Sequence, residues 1–399
     1  MKSYDVIIVG AGPAGAVAGF LCAGSGLKTL IIERKHLPRQ KSCGGGLTTK
    51  AISLLKQINC FEADWFEPLV NQFIIHLPKK GRAYVLAAET PCMGIVRRDL
   101  FDLALIEKSR AQGAELRTGE AFHEFRQTAR QTLEVATDQS VYKTRVLIGA
   151  DGCQSRVRKQ MAGRFFNSPD RMPTLLGIEG DLPVEAVETV SNKFCHLFFD
   201  FAPGVSYGWV FPRGRRLNAG VVISDPAQKA FSGNTSPSRR LDEFAENILK
   251  TRSSWQRKAG GKIPLYKWGQ KPLLQHGNVL LAGDAAGLAD AWSGEGIYYA
   301  IKSAMLAHQA IRKTFSSSRD RLSEYQCLCC REILTDLHFS YLFHIFFKAF
   351  PRTYSGLRHD RIRRLFLPYI QGELGYPQAL AKALACGLGY KLGVLSDKK

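Results

Sequence analysis

The run Tyr4-Asp5-Val6-Ile7-Ile8-Val9-Gly10-Ala11-Gly12-Pro13-Ala14-Gly15 joins a β-branched apolar strand to a glycine turn, and small residues up to Ala23 continue it as a helix. A lone GxGxxG is a weak signal, but here a buried parallel strand precedes it and a helix follows. A second strand, Lys28 to Ile32, ends in an acid, Glu33, about 20 residues on, which completes the dinucleotide-binding pattern. Gly10 permits the tight turn, Gly12 lets backbone approach a pyrophosphate, and Gly15 lets helix and strand pack closely. Pro13 and Ala14 open the helix whose free N–H groups face the anion. Glu33, with Arg34 beside it, is placed to accept hydrogen bonds from ribose hydroxyls.

Two later stations follow the same logic. Arg145-Val146-Leu147-Ile148 reads as a strand ending in Gly149-Ala150-Asp151-Gly152, with Ser155 to Arg158 opening a helix. Val279 to Ala282 reads as a strand ending in Gly283-Asp284-Ala285-Ala286-Gly287. Gly294-Glu295-Gly296-Ile297 then leads into a helix to Ile311. NAD needs only the first station. A flavin dinucleotide lies extended, so later strand-end acids such as Asp151 and Asp284 must meet its pyrophosphate and ribityl chain. Three stations on one chain therefore favour FAD.

Between them lies Lys41-Ser42-Cys43-Gly44-Gly45-Gly46, a loop either mobile or closely approached by another backbone. Arg98 opens a helix to Ala111, where it either reaches a phosphate or forms an ordinary surface ion pair. Phe73–Leu77 and Arg82–Ala87 flank Pro78-Lys79-Lys80-Gly81 as a hairpin. Thr174–Gly180, Phe194–Phe201, Tyr207–Phe211 and Leu217–Ile223 read as a second, antiparallel sheet, and Arg240 to Lys250 as a helix.

The 399 residues, 45% apolar and 23% charged, are ordinary globular composition. The net charge of +20 is not, and it favours a phosphorylated substrate or an anionic membrane surface. No recognition motif accompanies it, which argues against nucleic acid. Ten scattered cysteines show no disulfide framework, and Cys327-Leu328-Cys329-Cys330 lacks the second pair a zinc knuckle needs. Free thiols in the cytoplasm are the expectation. There is no room for a signal peptide and no run apolar enough for a membrane span. Phe339, Phe343, Phe346, Phe347 and Phe350 share one helical face, followed by Lys348, Arg352, Arg358, Arg361, Arg363 and Arg364. That stripe is either core or a lipid-facing surface of a peripherally bound protein.

Gly10–Gly15, Gly149–Arg158 and Gly283–Gly287 resemble the three motifs of the flavoprotein hydroxylase superfamily, and Arg98 with Phe101-Asp102 is similar to its flavin-site arginine. Cys43–Gly46, Tyr207-Gly208-Trp209-Val210-Phe211-Pro212 with Gly220, and Gly294–Ile297 resemble the geranylgeranyl reductases. In place of the Asn-Pro usual in that family, Asp290-Ala291-Trp292 stands beside the flavin site. The resemblance implies an α/β fold with a Rossmann-like FAD-binding domain of the glutathione-reductase/hydroxylase type in residues 1–68, 97–165 and 270–315. An antiparallel β substrate domain would occupy 69–96 and 166–269, and a basic, aromatic helical segment 316–399.

It further implies an FAD-dependent reductase acting on isolated double bonds of a polyprenyl lipid, quinone or diphosphate, with NADPH or ferredoxin as electron donor. A monooxygenase or halogenase of the same superfamily is the alternative. Tyr207, Trp209, Phe211 and Pro212 would line the prenyl tunnel, and Cys43, Tyr207 and Trp209 would serve catalysis. Gly44, Gly45, Gly294, Gly296 and Ile297 would border the flavin. The Cys43 thiol is read as proton donor, positional group or redox group alike.

Overall fold

The computed structural model describes residues 1–128, 132–166, 172–223, 236–266, 269, 272–317, 321–349 and 375–378. Its organising layer is a parallel sheet in which Ser3–Val9 lies centrally, flanked by Thr29–Glu33 and Val141–Gly149. Glu115–Thr118 extends one side, Val279–Leu281 the other, and an antiparallel hairpin, Phe122–Gln127 with Leu133–Thr137, continues from Val141–Gly149. Val6, Ile7 and Ile8 have no solvent exposure, as a strand covered on both faces requires.

Register explains how the distant glycine stations meet. Val9 lies opposite both Ile32 and Gly149, and Gly149 opposite Leu281. The strands carrying the three turns therefore end in one row, and each turn begins at the same edge of the sheet. Open α/β sheets bind ligands at that carboxyl edge. The helix Pro13–Gly24 is buried along most of its length because small residues let it wedge against the helices Arg98–Ala111 and Ile297–Ser316.

A second sheet runs Arg257–Pro264, Thr174–Pro183, Arg216–Ile223, Val205–Arg213, Cys195–Phe198, Gln72–Leu77, Arg82–Ala87. The expectation of a wholly antiparallel sheet is corrected at one joint, since Cys195–Phe198 pairs parallel to Gln72–Leu77. The strand expected over residues 194–201 stops at Phe198, and Asp200 takes a left-handed φ of 51° that ends the ladder. The helix Pro237–Asn247 packs on this sheet through buried Leu241, Phe244 and Ala245. A small three-stranded sheet, Gly46–Thr48, Met93–Ile95 and Leu69–Val70, ties the glycine loop to the rest.

The helix Thr335–Ala349 seats its first turns on the body of the protein: Leu337 is core, and Tyr341 packs on the apolar cluster containing Trp209. The side chains of Phe343, Phe346 and Phe347, together with Phe350 and the basic cluster from Lys348 to Arg364, lie outside the described residues. No helix among the described residues is long and apolar enough to cross a membrane.

Candidate active site

Between the edge of the parallel sheet and the inner face of the second sheet runs a cavity of 610 Å³. Gly10, Gly12, Pro13, Ala14, Glu33 and Arg34 line its polar end. Gly10 adopts φ +107°, and a Cβ there would lie 2.3 Å from the Ala150 carbonyl oxygen, so no other residue fits. Gly15 faces the turn rather than the cavity; its missing Cβ makes room for the Gly10 carbonyl. Glu33 accepts from the Ala11 amide at 3.0 Å and from the Lys35 amide at 3.0 Å, which fixes its carboxylate at the turn.

Arg39, which sequence reasoning missed, lines the cavity and bridges Glu33 to the buried Asp102. Its guanidinium lies 3.3 Å from Glu33 and 3.3 Å from Asp102. Asp102 in turn takes a bidentate pair from Arg98, at 2.9 and 3.0 Å. In place of the surface ion pair expected as one role of Arg98, the pair with Asp102 is buried, and the guanidinium also faces the Cys43 thiol. The signal available for Arg39 was only its place in the loop after Glu33, since no periodicity marks it.

Asp151 borders the cavity, but its carboxylate is engaged in the chain itself. It accepts from Ser155 Oγ and from the Arg156 and Val157 amides, capping the helix Arg156–Phe166. Burial pushes this carboxyl up from its ordinary range while those donors pull it back. Asp284 differs: it lines the cavity from the turn Gly283–Ala286, and its carboxylate has no hydrogen-bond partner among the described residues. Gly283 itself is buried behind it with φ +58°.

The apolar end is walled by alternate residues of Val205–Arg213. Tyr207, Trp209 and Phe211 face the cavity; Pro212 is buried on the opposite face and does not line it, which corrects its expected tunnel role. The Trp209 indole lies against Gly220 on the neighbouring strand, where a Cβ would fall 2.2 Å from Cζ2. Phe73, Phe199 and Trp292 complete the wall, and the last two stack in near-parallel planes.

The departure at Asp290-Ala291-Trp292 keeps a defined loop. Buried Asp290 accepts from the Trp292 amide at 2.9 Å and the Ser293 amide at 2.6 Å. Tyr207 donates to the Ser293 carbonyl, binding this loop to the sheet. Beyond it, Gly294, Glu295, Gly296 and Ile297 border the cavity. Thr48 Oγ1 donates to Glu295 Oε1 at 2.5 Å, and burial pushes the Glu295 carboxyl up to about 7. Cys43 lines the same cavity, half-buried, with the Gly45 amide donating to its Sγ at 3.4 Å. Thiol and carboxyl thus place two groups able to hold a proton on the cavity lining.

The chain from residue 3 to 330 matches the family model described as FAD binding domain. It belongs to the FAD-binding flavoproteins. Its polar end fits the cofactor on its own terms. The helix Pro13–Gly24 has no side-chain cap, a Cβ on Gly12 would meet only Arg39 at 3.5 Å, and Asp284 offers free acceptors. An uncapped helix start beside an arginine suits a diphosphate.

The chain is similar to digeranylgeranylglycerophospholipid reductase 3 of Methanosphaera stadtmanae, 29% identical over 82% of each chain. It is also similar to a geranylgeranyl diphosphate reductase of Rhodobacter capsulatus, 29% identical over 79% of this chain and 77% of that one. Among solved structures, a geranylgeranyl bacteriochlorophyll reductase-like protein from Thermoplasma acidophilum superposes with a TM-score of 0.77. It is 24% identical and the match covers 96% of both chains, a likeness of fold. These matches bear out the family resemblance drawn from the motifs and the α/β fold expected with it.

Proposed function

We propose that this flavoprotein saturates isolated double bonds of a geranylgeranyl-type polyprenyl chain carried on a lipid, quinone or diphosphate. One observation carries the proposal: a single cavity joins a diphosphate cradle to an aromatic, apolar wall, with Cys43 and Glu295 in its lining. The names of the related reductases support the same substrate class.

FAD would supply the hydride here when reduced. Gly10, Gly12, Pro13 and Ala14 would hold its diphosphate, Glu33 its ribose, and Asp284 its ribityl hydroxyls. Gly44, Gly45, Gly294, Gly296 and Ile297 would border its ring. An unactivated alkene accepts hydride poorly, so the chain must deliver a proton to the neighbouring carbon. The Cys43 Sγ–H is one source, and the Glu295 carboxyl, whose proton affinity burial raises, is a second. Tyr207, Trp209 and Phe211 keep water from the developing positive charge, which water would trap as an alcohol.

Anaerobic incubation with dithionite-reduced enzyme and geranylgeranyl-bearing lipids, quinones or diphosphates tests this by mass spectrometry. Gain of two hydrogens per bond is expected; activity that appears only with oxygen would instead mark a monooxygenase or halogenase. Cys43→Ala is expected to keep flavin and lose most turnover. A normal rate in that variant removes the thiol from the chemistry.

The excess of basic residues suits peripheral attachment to an anionic bilayer that holds the substrate. Sedimentation with anionic liposomes is expected to fall as salt rises, and no binding at low salt discards this part. NADPH and ferredoxin are the two electron donors to compare.

A further inference from the structure

The second sheet buries a polar assembly beside the apolar end of the cavity. Glu179 and Asp181, neighbours on one face of Thr174–Pro183, are 0% and 5% exposed. Two buried carboxylates are tolerable only if paired and fully hydrogen-bonded. Arg257, from the strand on one side, donates to Glu179 at 2.8 Å and to Asp181 at 3.2 Å. Asn218, from the strand on the other, donates to Glu179 at 3.0 Å and to Asp181 at 3.1 Å. Every carboxylate oxygen therefore has a donor before Arg213 is considered.

Two arms leave this assembly toward the cavity. Asn218 Oδ1 accepts from the Trp209 indole N–H at 2.9 Å and so sets the plane of the tunnel wall. Arg213 donates from one terminal nitrogen to Asp181 at 3.1 Å. From the other it donates to the carbonyls of Cys43 and Gly44, both at 3.3 Å. Its Nε is buried without a partner among the described residues, so the guanidinium is oriented by its two ends. A planar fork can hold a carboxylate on one edge and a pair of carbonyls on another; an ammonium cannot do both.

The loop it grips has little clearance. A Cβ on Gly44 would lie 2.9 Å from Trp209 Nε1 and 3.2 Å from the Phe211 ring. Gly45 has φ +80°, and a Cβ there would lie 2.1 Å from the Val96 carbonyl oxygen. The backbone of the thiol loop is thus pressed on the same indole that Asn218 orients.

We propose that Arg213, anchored on Asp181, is a positioning residue that holds the Cys43-Gly44 backbone against Trp209 and thereby fixes the thiol relative to the tunnel wall. Its effect on turnover rests on the prenyl-reduction reading, whereas its hold on the loop does not.

The test uses flavin-loaded Arg213→Gln and reads two quantities: the rate of Cys43 alkylation by iodoacetamide, located by peptide mass spectrometry, and the kinetics of prenyl reduction. Loss of a charge-assisted anchor opens the loop more often, so alkylation is expected to rise about tenfold or more with flavin retained. A misplaced reacting group lowers kcat about tenfold, with KM within about twofold. Arg213→Lys, which keeps the charge opposite Asp181 but not the fork, is expected between variant and wild type. Exposed Arg216→Gln, on the adjoining strand, is expected to change neither quantity. Wild-type alkylation in Arg213→Gln overturns the proposal, and so does faster alkylation with unchanged kcat. Should Arg213→Gln fail to fold or lose flavin, Asp181→Asn leaves Arg213 in place with a neutral, weakened anchor and is judged by the same criteria. If the wild type reduces no prenyl chain, the prenyl-reduction reading fails, and alkylation alone still decides whether Arg213 holds the loop.

Discussion

Replacing Glu295 with Gln removes a carboxyl whose proton the fold retains to unusually high pH. Burial is the main cause; the Thr48 hydroxyl opposes it, and the nearby Asp290 adds to it. The carboxyl titrates at about 7 in the folded chain against an ordinary 4.5. At ~1.4 kcal/mol per pH unit, ionising it in place costs roughly 3 kcal/mol relative to the unfolded chain. The folded state binds the extra proton between pH 4.5 and about 7, so stability from this group is complete below 4.5 and drains away as pH rises through 7. His76 and His308, lowered to about 4 by burial, act in the opposite sense and add stability as pH rises from 4 to 6.5. The wild-type curve therefore mixes both. The difference between wild type and Glu295→Gln isolates the carboxyl, because Gln keeps an acceptor for Thr48. Urea unfolding of flavin-free protein from pH 4 to 8 is expected to show the variant gaining on wild type by roughly 3 kcal/mol across that range. A constant difference at every pH would refute the argument, since it would mean that the carboxyl ionises as freely folded as unfolded.

Glu33→Ala removes the acceptor of the Ala11 amide and one partner of Arg39. FAD affinity is expected to fall about 10- to 100-fold in a fluorescence titration of apoprotein, and an unchanged Kd would separate Glu33 from the cofactor. Gly220→Ala drives a Cβ into the Trp209 ring, which is expected to cost about 1–3 kcal/mol in unfolding and to raise KM for prenyl substrates as the indole swings inward. Wild-type KM would mean that the indole does not wall the tunnel. Asp290→Asn preserves an acceptor for the Trp292 and Ser293 amides, and Asp290→Ala does not. Thermal unfolding is expected to show a loss of about 1–3 kcal/mol for Ala and much less for Asn; equal losses would implicate the charge instead.

What the sequence shows readily is what short segments encode by themselves. The helix Arg98–Ala111 and the hairpin around Pro78–Gly81 lie where periodicity and turn residues place them. The glycine stations are legible because strand, turn and helix stand in one continuous stretch. Asp151 shows the limit of that logic. A strand-end acid before a helix reads the same whether it meets a ribityl hydroxyl or caps the helix, and only the Ser155, Arg156 and Val157 donors distinguish them. The parallel joint between Cys195–Phe198 and Gln72–Leu77 is invisible locally, because both strands carry the same alternation in either direction.

The residues with most consequence for chemistry are hidden for a further reason. Glu295 acquires its unusual proton affinity from burial that no single segment could produce, against the opposing hydrogen bond of Thr48, 247 positions away. Arg213 ends a strand in a basic hairpin, where an exposed charge is the default reading. Only closure of the second sheet over the Cys43 loop turns it inward, and that closure joins two carbonyls 169 and 170 positions away. A charged residue at a strand end can be recognised as internal only once the carboxylate that compensates it is known. Here that carboxylate, Asp181, is itself buried on condition that Arg257 and Asn218 arrive from both neighbouring strands. Each polar group is affordable only in the presence of the others, so no single segment carries the signal for any of them.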